Sequence, residues 1–112
     1  MRKLILSAVA ASAALAASVA PAFAADARWT DAQYLRASRC VGLAQSEALG
    51  AVDASVLVNA LKVQARGRES SITDRGASLR ADALRQGKTK DEARKASLLA
   101  ERADACGTYL AS

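Results

Sequence analysis

No histidine occurs anywhere in this 112-residue chain. That removes the side chain that titrates near neutral pH, the commonest metal ligand, and the base of every Ser-His or Cys-His nucleophile pair. Only two cysteines are present, Cys40 and Cys106. They stand too far apart for a zinc knuckle, a Cys-x-x-Cys redox pair or a haem attachment site. The glycines follow no phosphate-loop spacing. Aromatic residues make up 4% of the chain and none interleaves with the basic residues from Arg66 to Lys95, which argues against nucleic acid as a partner. Adjacent carboxylates occur at Asp91 and Glu92, where neighbouring positions diverge on a helix and acids favour its first turn. They read as capping residues. Ser70 and Ser71 lack an activating base and read as turn or cap residues. No enzyme, metal site or cofactor is expected.

At the start of the chain, Arg2 and Lys3 precede an uncharged run from Leu4 to Ala20, followed by Pro21, Ala22, Phe23 and Ala24. Two cations, an apolar run and a small-x-small end form the pattern of a secretory signal peptide over residues 1–24, with cleavage after Ala24. An uncleaved anchor would need about 20 strongly apolar residues, and this run is shorter and mostly alanine. No cysteine near Ala24 suggests a lipid anchor, and no arginine pair suggests folded export. A periplasmic or secreted product without a transmembrane segment is the expectation.

Removing 24 of 112 residues leaves 88, and removing Arg2 and Lys3 leaves 14 basic against 11 acidic residues, a net charge of +3. The only proline leaves with the leader, so nothing in residues 25–112 forbids helix. Alanine, leucine, arginine and lysine dominate, with one isoleucine and five valines, which favours helix over sheet. The expected fold is a single all-α domain over residues 25–112. Ten Leu, five Val, one Ile, one Trp and two Tyr supply its larger apolar side chains. A domain this small buries proportionally little surface and often needs a staple. In an oxidising compartment Cys40 and Cys106 would provide one; two buried thiols or intermolecular pairing are the alternatives.

Helix boundaries follow from caps and periodicity. Thr30 with Gln33 suggests a first helix start, and Trp29 and Tyr34 the two ends of a hydrophobic staple. Tyr34, Ala37, Val41 and Ala44 form its buried stripe with Cys40 beside them, and Gly50 is the expected stop. Asp53 is a candidate cap for a second helix carrying Leu57, Leu61 and Ala65. Beyond Arg66 the same stripe runs through Arg68, Ile72, Gly76, Leu79 and Ala83, which favours one long helix to Gln86 and three helices in all. A break at Gly67, with Ser71 as a new cap, would give four. Gly87 ends this segment. Thr89 and Glu92 suggest a capping box for a last helix, whose stripe is Ala96, Leu99, Ala103, Cys106 and Leu110.

Basic residues crowd the second half of the chain, interleaved with acids, as in Asp82 with Arg85 and Asp91 with Lys95 at helical pair spacing. Part of this is a solvated, salt-bridged face. Arg66, Arg68, Arg75, Arg80 and Arg85 form the candidate patch for an anionic partner, which export would make an envelope surface or an acidic envelope protein. The expected role is non-catalytic contact with a protein or the envelope, with a link to stress. A small binding module or secreted inhibitor is the alternative. In build alone, helical with one disulfide, the chain resembles the small periplasmic acid-stress chaperones, and a chaperone-like role is what that resemblance implies.

Overall fold

The computed structural model describes residues 27–110, so the leader expected over residues 1–24 lies outside the described residues. Those residues form helices joined by turns, with no strand among them. Helix α1, Asp31–Gln45, starts as its sequence predicts. The Gln33 amide donates to Thr30 Oγ1 at 3.2 Å, and the Thr30 amide donates to Gln33 Oε1 at 2.9 Å. Trp29 and Tyr34 are buried on either side of this cap. The helix ends at Gln45, short of Gly50, because Ser46 turns extended and accepts the Leu49 amide on its own hydroxyl. A 3₁₀ turn, Glu47–Leu49, follows.

Helix α2, Ser55–Ala65, has Ala54 at its cap position; Asp53 stands one residue earlier and accepts the Ser55 amide at 2.9 Å. The middle of the chain is two helices, and the long-helix expectation gives way to the break at Gly67. Arg66 is extended, and Gly67 adopts φ 75, a left-handed conformation that glycine enters without the Cβ penalty. Helix α3, Ser70–Gly87, then begins after Glu69, with no side-chain cap from Ser71. It ends at Gly87 as expected.

Helix α4, Glu92–Asp104, is capped by Asp91, whose carboxylate accepts the Ala93 and Arg94 amides at 3.0 and 3.4 Å. Thr89 sits outside the helix and accepts the Asp91 amide. The short aspartate side chain reaches these orphan amides directly, and this displaces the expected Thr89–Glu92 box. The buried stripe also differs: Leu98 is 1% exposed, whereas Ala96 and Ala103 face solvent. Helix α4 stops at Asp104, so Cys106 lies in the turn before helix α5, Gly107–Leu110, and its position is not tied to the phase of α4.

Helix α1 is the hub. Gly76 of α3 meets Tyr34 and Ser38, Gly42 meets the Arg80 carbonyl and Ala83, and Gly87 meets Ser46 and Leu49. Positions on the two helices advance together, so α1 and α3 run parallel and nearly backbone to backbone. A Cβ on Gly76 would lie 2.8 Å from Ser38 Oγ and 3.0 Å from Tyr34 Cε1, closer than side chains pack. Helix α2 runs the other way and returns Gln64 to Trp29. Helix α4 also packs on α1. Glu101 forks onto the Arg39 guanidinium at 2.5 and 2.9 Å, and Arg102 donates to the Gly50 carbonyl at 2.8 Å. The Cys40–Cys106 disulfide, with Cα atoms 5.5 Å apart, joins the α4–α5 turn to α1. Tyr109 completes the join with an edge-on contact to Trp29, ring centroids 6.0 Å apart.

Candidate interaction groove

The residues of α2 explain why one side of the bundle stays open. Leu57, Ala60 and Gln64 are buried, while Val58, Leu61 and Ala65 are half-buried one step around the helix. Val56 and Val63, on a third side, are 56% and 43% exposed. A helix that is apolar on three sides has more apolar surface than one neighbour can cover. Helices α2 and α3 both pack on α1 but leave a groove between them. Its α2 wall is Val58, Leu61, Lys62 and Ala65; its α3 wall is Thr73, Ala77 and Arg80; Tyr34, Ser38 and Gly76 form its floor. The volume is about 210 Å³, below the ≈ 300–1,000 Å³ usual for a drug-sized ligand and enough for side chains of a larger partner.

Among the described residues, Lys62 and Arg80 are the only charged groups lining this groove, and both are cationic. Arg80 is held in place by Gln45 Oε1, which accepts from its Nε and Nη2 at 3.2 and 2.8 Å. On the floor, the Ser38 hydroxyl donates to the Tyr34 carbonyl at 2.9 Å, so it offers little beyond its lone pairs to a ligand. The arrangement can hold an apolar surface beside negative charge. It presents no activated nucleophile, and no group of three or more metal-ligating side chains occurs among the described residues.

A buried polar knot fixes the separation of the walls at the Ala65 end. Gln64, 2% exposed, accepts the Trp29 amide at 3.0 Å and donates to the Ala27 carbonyl at 2.6 Å. Arg68 donates to the Gln64 carbonyl at 2.8 Å, to the Trp29 carbonyl at 2.6 Å and to Asp31 at 2.5 Å, and its guanidinium lies 4.8 Å from the centre of the Tyr34 ring. The α2–α3 turn and the segment before α1 are thereby tied to one another.

Arg68 accordingly leaves the expected anionic-partner patch, since its side chain is only 4% exposed and its donors are committed to Gln64, Trp29 and Asp31. Of the other four, Arg66, Arg75 and Arg85 face solvent, Arg85 in an ion pair with Asp82, and Arg80 lies in the groove. Two features escaped the sequence reading: Lys62, and the knot around Gln64. The spread of Val56, Val58 and Val63 around α2 was the available signal for an uncovered face. Gln64 carried little local signal, because its side-chain partners in the segment before α1, Trp29 and Ala27, are more than thirty positions away.

Two ionisable groups at the α1–α4/α5 junction are shifted. The Glu101 carboxylate holds the Arg39 guanidinium above its ordinary range through their hydrogen bonds. Burial pushes the Tyr109 phenol up, against the opposing charge of Arg36. No helix among the described residues is long and apolar enough to cross a membrane. No protein family, curated protein or solved structure matches the chain.

Proposed function

We propose that this chain is an exported, non-catalytic helical protein that acts by binding another component of the envelope through its α2–α3 side. The observation that carries this reading is the uncovered apolar groove whose lining charges are both cationic. Two further features support export: the leader pattern of residues 1–24, and the Cys40–Cys106 disulfide, a bond that persists in oxidising compartments. The exposed Val52, Val56 and Val63 favour a second reading, a chaperone-like role that shields apolar segments of client proteins.

The test is made in cells that express the full chain. The product should appear in the periplasm or medium, with an intact mass lacking residues 1–24 and no thiol open to alkylation before reduction. A photo-crosslinking residue at Ala77, in the groove, should give a discrete adduct that one at exposed Ala100 does not. Retention of the leader, ready alkylation, or equal labelling from both positions would overturn the proposal. For the second reading, suppression of client aggregation should fall when Val56 and Val63 are both changed to serine.

A further inference from the structure

We infer that the occupant of the α2–α3 groove is an amphipathic helix of a partner protein, carrying carboxylates beside its apolar stripe. This rests on the contact reading above and names its partner chemistry. Helix α1 carries α3 on one side and α2 on another, and the groove between them is the place where a further helix would complete the packing around α1. The groove's small residues, Ser38, Ala65, Gly76 and Ala77, let a backbone come close, while Val58 and Leu61 offer the ridge for its apolar stripe. Lys62 on one wall and Arg80 on the other leave acids as the complementary charge, and no lining acid opposes them.

The other occupants fit less well. A membrane surface is flat, and proteins that enter it use aromatic residues at the interface. Here Trp29, Tyr34 and Tyr109 are 2%, 7% and 4% exposed, so none is presented to lipid. A second copy docked groove to groove would set the same cationic rim against itself. A small ligand would occupy only a small, open volume.

The experiment selects helical peptides on the exported, disulfide-bonded protein. The library has apolar residues at i, i+3, i+4 and i+7, with Glu, Lys, Gln and Ala varied elsewhere. Selected peptides should be net acidic. Their affinity should fall about tenfold or more with Ala77→Glu, which adds an acid to the wall, and with Lys62→Glu, and should be unchanged with Val56→Ser. All three changes are at exposed positions, and matching thermal unfolding confirms intact folds. Enrichment of basic peptides, insensitivity to Ala77→Glu and Lys62→Glu, or no enrichment at all would overturn the inference. So would vesicles of anionic lipid binding in an Ala77→Glu-sensitive way while the peptides do not. Each of these leaves the export and crosslinking results standing, so failure of this occupant is distinguishable from failure of the contact role.

Discussion

Gln64 joins the end of α2 to the segment before α1 through its side chain, and its own carbonyl accepts from the Arg68 guanidinium. Its amide is buried, and removing it takes one hydrogen bond from the Trp29 amide and one from the Ala27 carbonyl. Gln64→Ala should therefore cost about 1–3 kcal/mol, read as a lower urea midpoint with an unchanged denaturant slope. Tyr109 makes a different prediction. Burial raises its folded-state pKa, so below the ordinary tyrosine value near 10 both states keep the proton and stability is unaffected. As pH rises through that value the unfolded chain ionises first, and stability is lost. Tyr109→Phe should flatten the loss in urea titrations on the alkaline side. At this scale the sequence was readable where partners are local, as with Thr30 and Gln33. It was not readable at Arg68, which looked like one surface cation among five but is committed to Trp29, Asp31 and the Tyr34 ring by long-range folding.

The elements show the same division. The start of α1 and the end of α3 were legible because a capping box and a glycine act within a few residues. The α2–α3 break stood only as the alternative to one long helix, since the apolar stripe continues across Gly67 and the left-handed turn is reinforced by an arginine folding back onto Gln64. At α4 two plausible caps lie two residues apart, and only geometry distinguishes them. Asp91→Ala should destabilise by about 1 kcal/mol and increase amide exchange at Ala93 and Arg94. Thr89→Ala should do markedly less in the same measurement. Equal effects would return the cap to Thr89.

For the molecule as a whole, an all-helical bundle with one disulfide follows from composition, the lack of proline after residue 24, and two cysteines. The groove did not follow, because it depends on how far apart α1 holds two helices that the sequence does not pair. Helix α4 buries one side chain fully, Leu98, so its attachment depends heavily on the disulfide and the Arg39–Glu101 pair. Replacing both cysteines with alanine should lower stability by about 4 kcal/mol on the chain-entropy estimate for a loop of 66 residues. Chemical unfolding with and without reductant measures it.

The same bond encloses both walls of the groove, because Cys40 precedes α2 and Cys106 follows α3. A protease that nicks the exposed peptide after Arg66 thus opens a covalent ring without releasing either half. The nicked protein should migrate as one species on a non-reducing gel, and separate into two fragments when reductant is added.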